Sequence, residues 1–366
     1  MLTPQDTRRP RNVVQFPAAA IRHRPAFLAS PGSHERPRRP LWRAIAWGLL
    51  AILCAVALGV LGSAWWRVQR MSARIARVPE VFSMPETSRP VRPANGGQSV
   101  NVLIAGLDGE ARTGHAHGAR SDAIMVLHLD ANRRKAWVVS IPRDAWVPIP
   151  GHRDNKLNAA YSLGGPTLFV QTIERLTGLR MDHLVVLDWT GLRRLTDAVG
   201  GVPVSVLPPA AAGADSLQGE VEMEFSGDVA LPYLSERKHL PAGDFDRIRR
   251  QQNFVRAFAR QTLDRHTLTD PAALRALAAA VGDAVRVDSR LTTQEMLALA
   301  ASMRQLHSDD ITFLTAPSSG PGMQGEASVV LYDHPNGAVL WQAVANDRVA
   351  EFVAQHPQLV TAEHVR

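Results

Sequence analysis

Apolar residues fall into short runs along most of the chain, and one run is much longer than the others. Residues 44–66 read AIAWGLLAILCAVALGVLGSAWW, 23 residues without a charged side chain. At about 1.5 Å of rise per residue, a helix of this length crosses the roughly 30 Å hydrocarbon layer of a bilayer. Tryptophans near both ends suit the two membrane–water interfaces. The pattern predicts one transmembrane anchor within residues 41–68.

After residue 100, strand-like runs alternate with helical periodicity. NVLIAG, AIMVLHL, KAWVVSI, HLVVL, VPVSV, ITFLTA and SVVLYD each have the length and composition of a strand. Thr292 and Glu295 form a capping box that predicts the start of a helix. Helical patterns are found at 166–176, 190–199, 271–285, 293–306 and 338–344. Strands that alternate with helices indicate an α/β layered domain.

The remaining composition divides the chain into parts. Residues 1–40 contain seven prolines and several arginines, which favours a disordered tail. Residues 69–98 contain four prolines followed by NGGQ, which predicts a semi-extended linker between membrane and domain. Residues 99–265 would form the core of the α/β domain, and residues 266–366 would complete it.

Positive charge is concentrated near the N-terminus. The formal net charge is +7, from 41 Lys and Arg against 34 Asp and Glu. Residues 1–78 hold 13 basic and 2 acidic residues, whereas residues 79–366 hold 28 and 32. The later region lacks the broad basic footprint of a nucleic-acid binder, so we expect no nucleic-acid partner. The arginines before the anchor favour a cytoplasmic N-terminus, which places the α/β domain outside the cytoplasm.

The stretch SERKHLPAGDFDRIRRQQ, residues 235–252, concentrates arginines, and helical spacing separates them into two sets. One stripe shares a face with two core-facing phenylalanines, and Arg250 lies at its edge. A guanidinium on an apolar face is costly unless it is paired. An anionic ligand with an apolar tail would suit such a pocket. The inward stripe consists of Arg247, Gln251, Phe254 and Phe258, and a second stripe, expected at the solvated surface, of Arg249, Asn253, Arg256 and Arg260.

Charged residues flank three of the predicted strands. Asp108 follows the first strand, Arg120 and Asp122 lead into the second, and Arg143 and Asp144 follow the third. Loop salt bridges are one interpretation. The other is a ligand site, since such sites collect beyond the carboxyl ends of strands in α/β sheets. Two carboxylates beside arginines suit Mg²⁺ on a diphosphate, because Mg²⁺ completes its shell with phosphate oxygens and water.

Six segments in order between residues 101 and 260 resemble the signatures of the LytR-CpsA-Psr family. They read RSDAIMVLHLD, SIPRDAWVPIPG, NKLNAAYSLGGP, DHLVVLDWTGL, AVGGVPV and DFDRIRRQQ. The resemblance implies an α/β/α sandwich around a mixed central sheet, preceded by one transmembrane helix. It also implies a magnesium-dependent, extracytoplasmic phosphotransferase. Such an enzyme moves a glycopolymer from a polyprenyl pyrophosphate carrier, held in an apolar tunnel, to a peptidoglycan hydroxyl.

The resemblance also implies roles for individual residues. Asp108 and Asp122 match the magnesium ligands, and Arg120, Arg143 and Asp122 match catalytic positions. Residues that would bind the lipid-linked substrate are Arg237, Arg247, Arg250, Gln251, Lys156, Asn158 and Tyr161. No residue stands out as the general base, and Asp122 and Asp144 are the candidates.

One position departs from the family pattern. The family commonly has Arg-x-Arg before its HxLPxGDxDR loop, whereas this chain has Ser235-Glu236-Arg237. The loss of one charge-assisted contact would cost roughly 1.5–3 kcal/mol of pyrophosphate binding or transition-state stabilisation. A second function therefore stays open, that of a polyprenyl-phosphate-binding or scaffold protein of cell-wall assembly with reduced catalysis.

Overall fold

The computed structural model describes residues 75–108, 120–206, 221–237, 239–263 and 271–363. The predicted tail and transmembrane anchor lie outside these ranges. Among the described helices, none is both long and apolar enough to cross a membrane.

A seven-stranded mixed sheet forms the centre of the domain, in the order β1-β10-β7-β2-β3-β4-β11. The pairs β1–β10, β7–β2 and β4–β11 are parallel, and the other neighbours are antiparallel. The remaining strands form two-stranded sheets β5–β6, β8–β9 and β12–β13. In chain order the strands are β1 (Ala76–Val78), β2 (Val100–Asp108), β3 (Arg120–Leu129), β4 (Ala136–Ser140), β5 (Trp146–Val147), β6 (Asn155–Lys156), β7 (His183–Asp188), β8 (Val202–Val206), β9 (Val221–Phe225), β10 (Val285–Asp288), β11 (Ile311–Thr315), β12 (Ser318–Gln324) and β13 (Ala327–Tyr332).

Helices pack against both faces of the central sheet. Along β2, Leu103 faces the core beneath α1 and α7, where it joins Phe169 and Trp341. On the other face, Ile104 packs in a cluster with Val255 of α4. The mixed sheet between two helical layers agrees with the expected α/β fold. The helices are α1 (Ala159–Thr177), α2 (Trp189–Ala198), α3 (Gly227–Ser235), α4 (Asp244–Leu263), α5 (Pro271–Ala284), α6 (Thr293–Ser302), α7 (His334–Ala345) and α8 (Val349–Gln355).

Helix α1 begins at Ala159, about two turns earlier than its sequence pattern predicts. Gly164 and Gly165 have non-helical backbone angles, so α1 contains a kink directly before Pro166. Proline favours the first turn of a helix, which is why the pattern indicates a start there. The predicted end is confirmed, since Gly178 terminates the helix with φ of 66°. This left-handed conformation is one that glycine adopts without steric cost.

The structure corrects the linker prediction for the described residues between 76 and 98. Strand β1 pairs with β10, and Val81 and Phe82 are buried in the main core. Arg89 is buried in an ion pair with Glu174 of α1. The prolines of this segment mark turns and short 3₁₀ helices between residues that pack on the domain. Its composition suggests a linker because proline content does not reveal which apolar residues find a partner.

Candidate functional site

Four charged side chains meet beside the start of β3, the end of β4 and the start of α4, and we call them the arginine–aspartate cluster. The Asp122 carboxylate contacts the Arg143 guanidinium. Arg143 Nε lies 3.6 Å from Asp244 Oδ1, and Arg247 Nη2 lies 2.6 Å from the same oxygen. Arg247 Nη2 also donates to the backbone carbonyl of Asp122 over 3.3 Å. The two arginines therefore alternate with two aspartates in one continuous group.

Local backbone features place these four residues. The β2–β3 register pairs Gly106 with Ala123 and Leu107 with Ser121, so Asp122 is the extra residue of a β-bulge. Bulges re-aim side chains at the ends of a ladder. Arg143 follows β4 directly after Pro142, which cannot continue the ladder. Asp244 and Arg247 lie three residues apart on α4, a spacing that brings side chains together on a helix.

The cluster is largely desolvated, and its polar atoms are incompletely paired. The Arg247 side chain is 3% exposed. Burial lowers the pKa of its guanidinium, an effect that Asp244 partly offsets. Burial also raises the pKa of the Asp244 carboxyl, despite opposing contributions from Arg247 and Arg143. Neither carboxylate oxygen of Asp244 nor the Nε of either arginine makes a well-aligned hydrogen bond to any described residue.

Unsatisfied buried donors of this kind cost free energy in the absence of a ligand. Two guanidiniums with spare donors form a site for phosphate oxygens, which accept bidentate, charge-assisted hydrogen bonds. The cluster therefore fits a compact, multiply charged anion better than it fits a purely structural role.

Two predicted substrate-binding residues lie at the cluster, and a third does not. Lys156 Nζ is 3.2 Å from Oδ1 of Asp144, the residue that follows Arg143. The backbone N–H of Asn158 donates to the Arg143 carbonyl over 3.0 Å. These contacts hold the Arg143 loop in place. Tyr161 instead lies in the main core, with its ring centroid 5.7 Å from that of Phe169, and burial raises the pKa of its hydroxyl.

A narrow apolar cavity lies between the central sheet and α4, beside the cluster. It encloses about 530 Å³ of empty space, including its open mouth. Gln251, one helical turn after Arg247, and Ala123, next to Asp122, contribute to its wall. Gln251 Nε2 donates to the Leu234 carbonyl over 3.3 Å. The apolar lining includes Ile104, Gly106, Met125, Leu192, Leu234 and Phe254. The inward orientation expected for Arg247, Gln251 and Phe254 is confirmed, since all three are buried.

Four further predicted residues can be placed relative to these elements. Arg237 is exposed and lines a groove together with Asp144 and Asp244. The Arg250 guanidinium stacks 4.6 Å from the centroid of the Tyr233 ring on α3. In the β2–β3 ladder, Asp108 is the register partner of Arg120.

The expected solvated stripe on α4 is wrong for two of its four residues. Arg249 and Arg260 are exposed, but Asn253 and Arg256 are buried. Asn253 Nδ2 donates to the Ser205 carbonyl of β8 over 2.8 Å. Arg256 donates to the carbonyls of Thr361 and Ala362 over 2.9 and 3.0 Å. Strand β8 and the C-terminal segment cover this side of α4, which helical periodicity alone does not reveal.

Asp244 is the member of the cluster that sequence reasoning misses. As an acidic residue in the first turn of a helix, it has an ordinary explanation as a partner of the helix dipole. The available signal is its spacing of three residues before Arg247. Among the described residues, no three His, Cys, Asp or Glu side chains come close enough to hold a metal ion. A cation here would therefore use one or two carboxylates and ligand oxygens, a preference of Mg²⁺.

The chain is similar to known proteins over most of its length. The model of the LytR_cpsA_psr family matches residues 72–346. The polyisoprenyl-teichoic acid–peptidoglycan teichoic acid transferase TagU of Halalkalibacterium halodurans is 35% identical over 193 residues, which cover 52% of this chain and 61% of TagU. Cell wall biosynthesis protein LcpA of Corynebacterium glutamicum is 31% identical over 252 residues, covering 60% of this chain and 48% of LcpA. The chain thus spans about half to three fifths of these relatives.

Solved structures show the same architecture. B. subtilis TagV is 25% identical with a TM-score of 0.55, and the match covers 69% of this chain and 98% of TagV. A LytR-Csp2A-Psr enzyme from Actinomyces oris also has a TM-score of 0.55, at 22% identity, covering 74% of this chain and 96% of that protein. The latter likeness concerns the fold alone. Together with the match over residues 72–346, these findings show that the chain belongs to the LytR-CpsA-Psr (LytR_cpsA_psr) family.

Proposed function

We propose that this chain is a phosphotransferase that moves a glycopolymer from a polyprenyl pyrophosphate carrier to peptidoglycan. The observation that carries the proposal is the position of the arginine–aspartate cluster beside the apolar cavity, with Arg247 and Gln251 on one face of α4. An anionic head on a long apolar tail is the ligand that this combination fits. The names of TagU, a transferase between polyisoprenyl-teichoic acid and peptidoglycan, and of LcpA, a cell wall biosynthesis protein, support it.

The donor would bind with its prenyl chain in the apolar cavity and its pyrophosphate against Arg143 and Arg247. Each charge-assisted hydrogen bond to a phosphate oxygen contributes roughly 1.5–3 kcal/mol. Arg120, Arg237, Arg250 and Gln251 would add donors around the same group. The phosphate would replace Asp244 as the anionic partner of the two arginines.

Magnesium fits the carboxylates of this site. The Asp122 side chain is 11% exposed at the cluster. Asp108 of β2 is paired in the ladder with Arg120, which lies two positions before Asp122 in the sequence. One or both aspartates would hold the ion, and phosphate oxygens and water would supply its other ligands. Bound there, the ion would neutralise charge on the phosphate oxygens.

The reaction is an in-line displacement at the phosphorus atom that carries the polymer. A peptidoglycan hydroxyl would form the new O–P bond while the bond to the bridging oxygen breaks. Polyprenyl phosphate would leave with the electron pair of that bond. Arg143 and Arg247 would stabilise the charge that develops on the phosphate oxygens, and burial strengthens this effect because water does not screen it.

Anchoring suits a donor that resides in a bilayer. The apolar run at residues 44–66 would hold the chain in the cell membrane with its N-terminus in the cytoplasm. The catalytic domain would then lie on the extracytoplasmic side, where both the lipid carrier and the peptidoglycan are within reach.

Ser235 supports a second candidate function, a polyprenyl-phosphate-binding or scaffold protein with reduced catalysis. Ser235 is exposed at the end of α3, and its hydroxyl donates to the Leu231 carbonyl over 2.8 Å. It supplies no cation next to Leu234, which lines the cavity. A site with one fewer positive charge would retain lipid binding more readily than transition-state stabilisation.

A transfer assay with the full chain in detergent micelles tests the proposal. The donor is a radiolabelled glycan on undecaprenyl pyrophosphate, the acceptor is purified peptidoglycan, and Mg²⁺ is present. Arg247→Ala should lower kcat by about 10²–10³-fold, because it removes a donor to the developing charge. Arg260→Ala is the matched control on the same helix, since Arg260 is exposed and pairs with Glu363. Equal activity of the two variants would overturn the proposed site.

The same assay separates the two candidate functions. A wild-type chain that binds the labelled donor tightly but transfers none of it to peptidoglycan would support the binding protein. Transfer that depends on both Arg247 and Mg²⁺ would support the phosphotransferase.

A further inference from the structure

A second opening, which we call the hairpin groove, adjoins the arginine–aspartate cluster. It lies between the start of α4 and the β12–β13 hairpin and contains about 820 Å³ of space. The hairpin is fixed to the site, because the Val330 backbone N–H donates to the Asp144 carbonyl over 2.9 Å. The side chains that matter for its chemistry are Asp144, Arg237, Asp244, Phe245, Pro321 and Ser328.

The groove and the apolar cavity lie on opposite sides of Arg247 along α4. Asp244 and Phe245 line the groove, whereas Gln251 and Phe254 line the cavity. With a rise of about 1.5 Å per residue, Asp244 and Gln251 are separated by about 10 Å along the helix axis. The guanidinium of Arg247 is thus positioned between the two openings.

The positions of the two openings on either side of Arg247 match what an in-line displacement at phosphorus requires. The entering and leaving oxygens must lie on opposite sides of the phosphorus atom. When polyprenyl phosphate departs on the side of the apolar cavity, the acceptor hydroxyl has to approach from the hairpin groove. We propose that the hairpin groove is the acceptor site and binds a peptidoglycan glycan strand. This inference rests on the phosphotransferase function proposed above.

The groove has the mixed lining that a saccharide needs. Asp144 and Arg237 offer hydrogen-bond partners for hydroxyl and amide groups, and Pro321 and Phe245 offer apolar surface for the C–H faces of sugar rings. Ala242 and Phe245 also line a second opening, whose other wall residues include Arg249 and the C-terminal residues Gln358 to Ala362. Two openings that share wall residues offer room for a strand of several sugars.

The placement also indicates the proton acceptor. Asp144 lines the hairpin groove, whereas Asp122 is paired with Arg143 and is not part of the groove wall as described. As the acceptor oxygen bonds to phosphorus and polyprenyl phosphate leaves, the hydroxyl proton passes to the Asp144 carboxylate. Lys156, 3.2 Å from Asp144 Oδ1, keeps that carboxylate at the groove.

Blocking the groove tests the inference without touching the cluster. Ser328 is exposed on β13, so Ser328→Trp places a large ring in the groove. Isothermal titration of the full chain with a soluble peptidoglycan oligosaccharide should show about tenfold weaker binding for this variant, a change of about 1.4 kcal/mol. Gln324→Trp is the matched control, because Gln324 is exposed on the opposite face of the same hairpin. Its affinity for the oligosaccharide, and the affinity of both variants for the labelled donor, should stay within about twofold of wild type.

The outcomes separate this inference from the proposed function. Unchanged oligosaccharide affinity in Ser328→Trp, or no binding by the wild type, overturns the acceptor site even when transfer is observed. Wild-type binding that Ser328→Trp weakens, together with no transfer, shows that the groove binds the glycan but rejects the phosphotransferase, and with it the groove's role as an acceptor site. Should the tryptophan variant not fold, as judged by thermal unfolding, Ser328→Leu repeats the test with a smaller side chain. Asp144→Asn should lower kcat by about 10²–10⁴-fold, a far larger change than in oligosaccharide affinity, because asparagine still forms hydrogen bonds with the sugar but cannot accept the proton; normal turnover would reject Asp144 as the proton acceptor.

Discussion

Two buried arginines of this domain are held in very different ways. Arg89 lies against α1, where its Nε and Nη2 donate to the Glu174 carboxylate over 2.5–3.2 Å and Nη2 also donates to the Met181 carbonyl over 2.6 Å. The Arg247 side chain is 3% exposed, yet its Asp244 partner is shared with Arg143. Each of the two arginines leaves one nitrogen without a hydrogen-bond partner among the described residues, Nη1 of Arg89 and Nε of Arg247. Arg89 has well-aligned hydrogen bonds to a carboxylate of its own, whereas neither oxygen of Asp244 makes a well-aligned hydrogen bond to any described residue.

The difference indicates which arginine serves the fold and which serves a ligand. A buried charge with a bidentate partner is costly to break but does little else. A buried arginine that shares a poorly aligned carboxylate with a second arginine leaves free energy to be recovered when a phosphate binds to both. Arg89 and Arg247 are buried to a similar extent, so burial does not distinguish their roles. The geometry of their carboxylate partners does.

The largest expected effect on stability comes from breaking the Arg89–Glu174 ion pair. Arg89→Met leaves Glu174 buried without its cation and should lower the free energy of unfolding by about 3–5 kcal/mol, measured with urea. Arg247→Met should lower it by less, about 1 kcal/mol, because Asp244 keeps Arg143 as a second cation 3.6 Å away, whereas Glu174 loses its closest cation. A loss in Arg247→Met as large as that in Arg89→Met would remove the distinction.

A double variant sharpens this prediction. Arg89→Met combined with Glu174→Met replaces both charges by apolar side chains of similar volume. Such replacements are often neutral or stabilising, so most of the loss in Arg89→Met should be recovered. Failure to recover stability would mean that Arg89 acts through Met181 or Phe82, whose ring lies 4.6 Å from the guanidinium carbon, and not through Glu174.

A pH titration addresses the other side of the comparison, with a smaller effect. Burial raises the pKa of Asp244 above its ordinary value. The folded chain therefore binds this proton more tightly than the unfolded chain, and the stability that it contributes is fully present below the unfolded pKa of about 3.9. That contribution is lost as the pH rises through the higher folded pKa. Asp244→Asn has no such loss, so its stability relative to wild type should improve between about pH 4 and pH 7.

Asp310 provides a control of opposite sign. Hydrogen bonds from Lys135 and the His307 backbone lower the pKa of Asp310. Its contribution to stability is present above the unfolded pKa and is lost as the pH falls through the folded pKa. Asp310→Asn should therefore become less stable relative to wild type as the pH rises towards about 4. A flat difference for Asp244→Asn over the same titration would show that Arg143 and Arg247 offset burial at Asp244, and a difference of the same sign as that of Asp310→Asn would show that they outweigh it.

Much of this architecture can be predicted from local patterns, and the exceptions share a physical cause. The apolar runs locate β2, β3, β4, β7 and β11, and the capping box at Thr292 and Glu295 forms as expected. The pattern does not indicate α3, since Pro232 inside a nine-residue segment argues against a helix. Nor does it indicate β1 and β10, which are short and depend on pairing between residues about 200 positions apart.

The candidate site shows the same division. The spacing of Arg247 and Gln251 predicts an inward face because helical periodicity is a local property. The contact of Asp244 with Arg143 and the burial of Arg256 could not be predicted in this way. Both depend on what packs against α4, namely the Arg143 loop on one side and the C-terminal segment on the other. Local periodicity identifies a face of a helix, and only tertiary contacts identify its partner.

The smallest expected effect concerns an arginine added at the exposed edge of the site. Ser235→Arg introduces a guanidinium at the end of α3, one residue after Leu234 of the cavity wall. Because position 235 is exposed, solvent screens the new charge, and an exposed ion pair contributes only about 0.2–1 kcal/mol. Affinity for the labelled polyprenyl pyrophosphate donor should therefore rise by no more than about fivefold, with Ser235→Gln as the uncharged control of similar length. A rise of transfer from almost none to a high rate would instead show that Ser235 limits the chain to binding the donor. It would also show that an exposed arginine can stabilise the transition state, a role that the comparison of Arg89 with Arg247 assigns to a buried arginine.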